Sequence, residues 1–277
     1  MKRILLIGIF VFLISTLSVI QSYACTIFVL TDRDKTLFFN NEDYTNSVTR
    51  IWFLPASKEH YGVAYVGFDN NWAQGGINSE GLAFDWVSGF QEQYVPNSKL
   101  SRARSNPSEK MLQTCASVSE AITFYKKYRE PSFAYAKIMI VDKSGFSVII
   151  GARNGELYFD TSSQSRGFGY GERLLNDLLT KSTRPDMETG FPILQACYQQ
   201  GEYATKYSSV YDLRSSEIFL VLPDSQKTII NINLPTELAK GRHYYDMSDI
   251  KKQLSEAPRQ ISRIKRFITN LYLYFKY

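Results

Sequence analysis

The stretch Ala24-Cys25-Thr26-Ile27-Phe28-Val29-Leu30, followed after a polar turn by Thr36-Leu37-Phe38-Phe39-Asn40-Asn41-Glu42-Asp43-Tyr44, decides how this chain is read. Both halves are rich in apolar, β-branched and aromatic residues, so they read as two short strands over residues 25–31 and 36–41. A cysteine opens the first, and an aspartate stands eighteen residues after it. What lies ahead of Cys25 gives that cysteine its interest. Lys2 and Arg3 precede an apolar run over residues 4–20, then Gln21-Ser22-Tyr23-Ala24. Small side chains at Ser22 and Ala24 fit a cleavage site between Ala24 and Cys25. The expectation is a signal peptide over residues 1–24, its removal, and an exported product, periplasmic or secreted. A retained anchor is the alternative, because the run approaches the length that crosses a bilayer. No charged stop-transfer flank follows it.

Cleavage makes Cys25 the first residue, and two readings of it stand. One is a lipid-anchored protein acylated at the cysteine, although Ser22-Tyr23-Ala24 has no Leu three residues before it. The other is a nucleophile that carries thiol and free α-amine on one residue. A thiol needs a base to become a thiolate. An α-amine, titrating at about 7.7–8.0, supplies one without histidine.

Composition narrows the classes. The 277 residues are 44% apolar and 21% charged, as in globular proteins, and are enough for one large domain or two small ones. Lys and Arg number 32 against 27 Asp and Glu, a net charge of +5 that becomes +3 without Lys2 and Arg3. So small an excess predicts no nucleic-acid partner. His60 and His243 are the only two histidines and the cysteines number three, too few for a disulfide scaffold or a zinc site, so no metal is expected.

Further strands are expected over residues 50–54, 61–67, 72–77 and 82–87, then a polar loop over 88–105. Asn106 and Pro107 read as a helix cap and first turn, with helices over 108–115 and 118–128. Strands follow at 136–141, 147–151 and 157–160, helices at 171–179 and 191–199, and strands at 208–211, 217–222 and 228–233. This order suggests packed sheets with helices outside, in one domain over residues 25–257. From residue 258 to 277, Ile261, Ile264, Ile268, Leu271 and Phe275 form one apolar helical stripe, with Arg259, Arg263, Lys265 and Arg266 at its start. Such a helix packs on its own domain or lies on a membrane surface.

Further motifs are Trp72-Ala73-Gln74-Gly75-Gly76-Ile77-Asn78-Ser79-Glu80-Gly81-Leu82-Ala83-Phe84-Asp85-Trp86, Tyr207-Ser208-Ser209-Val210-Tyr211-Asp212 and Glu237-Leu238-Ala239-Lys240-Gly241. In this order, and with the cleavage site falling at Cys25, they resemble the linear amide C–N hydrolases, the group of choloylglycine hydrolases, penicillin V acylases and isopenicillin-N acyltransferase. The resemblance runs from Cys25 to about residue 250. It implies an α+β fold, the amino-terminal-nucleophile (Ntn) hydrolase αββα sandwich of two antiparallel sheets between helices. It also implies an activity: attack of Cys25 on a small-molecule amide, through a thioester that water hydrolyses, with no cofactor. An acyltransferase using the same thioester, or a non-catalytic lipoprotein, is the alternative.

The same resemblance assigns residues. Asp43 matches the aspartate that holds the α-amine, and Arg173 a late arginine of the active site. Near Gly81-Leu82 the choloylglycine pattern supplies an oxyanion-hole asparagine; here Ser88 stands in that place, with Asp85 and Trp86 just before. Asn78 is the nearest amide, although a G-x-N-x-x-G turn points to a structural role. Asn40 occupies the slot where bile-salt enzymes carry arginine, and a second asparagine is replaced around Thr161-Ser162-Ser163, making Ser162 the candidate. These departures weigh against bile-salt specificity, and Asn41-Glu42-Asp43 fits the acyltransferase-like branch better. Trp86, Phe90 and Tyr94 border the 88–105 loop as pocket or packing residues. Cys115 and Cys197 either pair or stay buried as thiols.

Overall fold

The computed structural model describes residues 25–181, 184–223, 229–255 and 259–260. The expected signal peptide lies outside these, as does 261–277 of the expected terminal helix. Strands β1 (Thr26–Thr31) and β2 (Thr36–Asp43) form a tight antiparallel hairpin, with Thr26 opposite Asn41 and Thr31 opposite Thr36. On one side β1 pairs with β10 (Arg166–Gly169). On the other, β2 pairs with β11 (Thr205–Asp212), followed by β12 (Glu217–Val221) and β13 (Ile229–Asn233). The second sheet runs β15-β14-β3-β4-β5-β6-β7-β8-β9, all antiparallel. Its strands are β3 (Thr49–Leu54), β4 (Val63–Phe68), β5 (Ala73–Asn78), β6 (Leu82–Ser88), β7 (Ala136–Asp142), β8 (Ser147–Arg153), β9 (Glu156–Ser162), β14 (His243–Asp246) and β15 (Arg259–Gln260).

The central strands are buried on both faces because each sheet is covered twice, whereas the edge strands β9 and β13 are partly exposed; alternation sorts the side chains. Ile27, Val29 and Phe38 point between the sheets, where they meet Ile51, Phe53, Val66, Ile77, Met139 and Val141 of the second sheet. Phe28, Leu30, Leu37 and Phe39 point the other way, onto helices α3 (Glu172–Lys181) and α4 (Met187–Ala196) through Leu175, Ile193 and Leu194. On the far side Trp52, Tyr65, Phe84 and Ile140 pack on Met111 and Leu112 of α1 (Pro107–Thr114) and Ala121 and Tyr125 of α2 (Val118–Tyr125). The result is a four-layer αββα sandwich. Phe28 and Phe39 show the scale of each contact: fully buried, they stack at 4.5 Å, and burial of each ring stabilises the fold by about 1.5–3 kcal/mol.

Several elements differ from the sequence reading. β2 continues two residues beyond 41, which places Glu42 and Asp43 inside the strand. α4 begins at Met187, earlier than the apolar residues suggest, because the Asp186 side chain accepts from Thr189 N at 2.8 Å. Arg166–Gly169 and His243–Asp246 are strands with no counterpart in the pattern reading, and α5 (Leu234–Ala239) and α6 (Ile250–Leu254) are short additional helices. Arg259–Gln260 pairs with β14 and so does not open a helix. Cys115 and Cys197 are free, buried thiols in the two different outer layers, too far apart in the fold to pair.

Candidate active site

Cys25 stands just before β1, and continuing the β1–β2 register by one step sets it opposite Glu42, with Asp43 one residue beyond. The Cys25 N–H donates to Asp43 Oδ2 at 3.0 Å. The thiol points to Glu42 Oε1 at 3.7 Å, with the Asp43 carbonyl at 3.9 Å. Asp43 is itself held from behind: Thr205 Oγ1, at the start of β11, donates to its Oδ1 at 2.6 Å. That hydroxyl also accepts from Gln199 N at 3.0 Å, which fixes its direction. The Cys25 carbonyl accepts from Tyr170 N at 2.8 Å, and a side chain at Gly169 would collide with it. Cys25 adopts a left-handed φ of 77°, which a residue with a side chain adopts only when its surroundings hold it there.

Alternation along β2 turns Asn40 and Glu42 into the space between the sheets. There Asn40 Nδ2 donates to Asp85 Oδ2 of β6 at 2.7 Å and to Glu42 Oε2 at 3.5 Å. The other Asp85 oxygen accepts from Trp86 N at 2.7 Å. Gly75, opposite Asp85 across the β5–β6 pair, must lack a side chain because a Cβ there would run into the Asp85 carboxyl. The buried rings of Tyr207 and Tyr211 complete this interior from β11.

Burial dominates the electrostatics. Burial, and then the charge of Asp43, push Glu42 up to about 8, against the pull of hydrogen bonds from Asn40, Cys25 and Tyr207. Burial pushes Asp43 up to about 7, against the Thr205 and Cys25 hydrogen bonds and the charge of Lys206. Asp85 is held well above the carboxylate range by burial and by Glu42. Burial, with Glu42 and Asp43, also raises the Cys25 thiol. A thiol in this setting needs a base in contact with it before it can attack anything.

Cys25, Glu42 and Asp43 open onto a cavity of about 700 Å³. Tyr44, Phe68, Trp72 and Trp86 give it aromatic walls, and Gln74, Ser88, Arg102 and Arg129 bring polar groups. This is a size and lining suited to a small organic molecule. Val95 and Pro96 of the 88–105 loop also line it. Of the three loop-border aromatics only Trp86 does so; Phe90 packs between the sheets, and Tyr94 packs against Phe133.

The structure thus brings Cys25, Asp43 and Ser88 to one cavity, with Asn40 and Asp85 directly behind Glu42. It separates the other candidates from it. Asn78 is fully engaged: Nδ2 donates to Leu112 O and Cys115 O, both at 2.8 Å, and Oδ1 accepts from Glu80 N and Leu82 N. Ser162 ends β9 at the sheet edge, where its hydroxyl caps the Gln164 N–H. Arg173 is exposed on the first turn of α3 and does not line the cavity, so the arginine assigned by resemblance is a surface charge here. Sequence reasoning passed over Glu42 and Thr205. Glu42 was detectable, because it lies two residues after Asn40 and therefore on the same strand face. Thr205 had no local signal; a strand pairing across the sheet brings it to Asp43.

Among solved structures, the chain is similar to penicillin V acylase from Agrobacterium tumefaciens, with a TM-score of 0.62 at 14% identity over 80% of this chain and 91% of that one. It is equally similar to a variant of conjugated bile acid hydrolase from Clostridium perfringens, with a TM-score of 0.62 at 16% identity over 87% of this chain and 100% of the other. The chain shares with these proteins its fold, the four-layer αββα sandwich. No family model and no curated protein matches the chain.

Proposed function

We propose that this chain is an exported amidohydrolase, activated when residues 1–24 are removed, that cleaves a small linear or N-acyl amide through a thioester on Cys25. The observation that carries the reading is the Cys25 nitrogen bonded to Asp43 Oδ2 at 3.0 Å while the thiol of the same residue lines the cavity. In the full-length chain that nitrogen is a peptide N–H and has no basicity. Cleavage before Cys25 turns it into an amine held by a carboxylate, which orients it as the third member of a triad orients its base.

The freed amine takes the thiol proton as sulfur attacks the amide carbonyl carbon, and the carbonyl electron pair moves to oxygen. When the tetrahedral species collapses, the C–N bond breaks and the ammonium returns its proton to the leaving nitrogen. Water then attacks the thioester, giving its proton to the amine, and the released sulfur recovers a proton. Once the amine has taken that proton, the ammonium is the partner of Asp43 and keeps it ionised; an opposite charge at hydrogen-bond distance counteracts the upward push of burial. The bond-making and proton transfers are carried by the thiol and amine of Cys25 with water.

Intact-mass analysis of the secreted protein, with and without a panel of N-acyl amides, conjugated bile salts and penicillin V, tests this. The expected species starts at Cys25 and gains one acyl group there. A mature chain that starts before Cys25, lipid on Cys25, or an adduct on Cys115 or Cys197 would rule the mechanism out.

A further inference from the structure

The mechanism leaves one group at the nucleophile without a role. Glu42 Oε1 lies 3.7 Å from Cys25 Sγ, is buried, and lines the cavity. When Sγ bonds to a carbonyl carbon, the oxygen on that carbon is one bond further out, within hydrogen-bond reach of a donor at such a distance. The two asparagine side chains offered as donors are engaged elsewhere. The Asn78 amide serves helix carbonyls, and the Asn40 NH₂ is divided between Asp85 and Glu42.

The groups around Glu42 dictate its protonation. Asp43 lies next to it on β2, Asp85 faces it from β6, Tyr207 and Tyr211 face it from β11, and the Cys25 thiol faces it from β1. The Lys206 charge acts on Asp43, and Asp43 also holds the Cys25 nitrogen. Among the described residues no Lys or Arg forms an ion pair with Glu42 or Asp85. Carboxyls crowded together out of water cannot all ionise. The pressure on Glu42, to about 8, keeps it neutral near pH 7.

We propose that Glu42 is a catalytic residue whose carboxylic acid O–H donates a hydrogen bond to the oxyanion formed on Cys25; this rests on Cys25 being the nucleophile. A carboxylic acid kept neutral by its surroundings can serve as such a donor. Glu42 keeps its proton throughout: the thiol proton passes to the α-amine and on to the leaving nitrogen, so the balance of the reaction is unchanged.

The test compares wild type, Glu42→Gln and Glu42→Leu on the fastest-cleaved amide of the panel, recording kcat, KM, melting temperature and acyl mass across the neutral and alkaline range. Glu42→Gln retains a donor and should hold kcat within about 3-fold near neutrality, whereas Glu42→Leu should lose about 10²–10³-fold in kcat with little change in KM. Wild-type kcat should also fall, relative to Glu42→Gln, as pH rises past the point where Glu42 ionises, about 8. Wild-type kcat in Glu42→Leu overturns the proposal, as does a Glu42→Gln enzyme as slow as Glu42→Leu at every pH. If Cys25 still acylates in either case, only Glu42 is refuted. Cleavage with no acyl group on Cys25 refutes the nucleophile and Glu42 together.

Discussion

Asp43 spends each carboxylate oxygen on a different task, one toward the Cys25 nitrogen and one toward Thr205. The two substitutions that probe this have different signatures. Asp43→Asn keeps the shape but removes the charge, so in a chain that begins at Cys25 turnover should fall steeply and melting temperature should fall with it, because the amine loses its counter-charge. Thr205→Val removes the donor behind Asp43, at a cost of about 1–3 kcal/mol to the fold. Turnover and thermal melts on the same purified variants check both, and full activity in Asp43→Asn would leave Cys25 without its orienting group. Gly75→Ala is a third probe: the added methyl should push Asp85 out of contact with Asn40, lowering kcat if that interior sets the Glu42 proton. At this scale the pairing of Cys25 with Asp43 was readable from spacing and family resemblance. Arg173 was not, because the resemblance matched a short string in a segment whose helix turns that side chain to solvent.

At the scale of elements, one device appears in both outer layers. Asn41 of β2 donates to Leu194 O and Cys197 O at the end of α4, and Asn78 of β5 donates to Leu112 O and Cys115 O at the end of α1. The last carbonyls of a helix have no partner within it, so a strand asparagine beneath each helix end supplies the missing donors and fixes helix to sheet. Asn41→Leu and Asn78→Leu should each destabilise by about 1–3 kcal/mol, and the double variant by their sum, because the two sites share no partner. Denaturant midpoints of the three variants test this; a strongly non-additive double variant would contradict independent layers. The long strands were legible from their apolar and β-branched runs. The four-residue strands β10 and β14 were not, since so short a segment becomes a strand only through the neighbour it pairs with. The early start of α4 was hidden because Asp186 caps it, while Gly190 and Pro192 within it read as helix breakers.

Across the whole molecule the buried acids set how stability responds to pH. Glu42, Asp43 and Asp85 all titrate above their ordinary range in the folded chain, with Glu42 near 8 and Asp43 near 7. Unfolded carboxyls titrate at about 3.9–4.3, so between that range and the folded values the native state binds more protons than the unfolded one. The stability these groups contribute is therefore fully present below the unfolded range and is lost as pH rises from there through the folded values. Glu237 acts in the opposite direction. Burial pushes it up, but hydrogen bonds from His243, Lys240 and Tyr245 outweigh that and leave it lowered, so its contribution is present above the unfolded pKa and lost as pH falls through the folded one. The two effects place maximal stability near the unfolded carboxylate range, about 3.9–4.3. In the proposed maturation, removal of residues 1–24 sets an ammonium against Asp43 and draws its pKa down. The chain beginning at Cys25 should then be more stable than the full-length chain in mildly alkaline buffer, and the difference should shrink toward zero below the unfolded carboxylate range, where Asp43 is protonated in both states. Urea midpoints of the two forms across that range decide it. A pH-independent difference would mean that the leader acts through packing, and that Asp43 does not hold the α-ammonium.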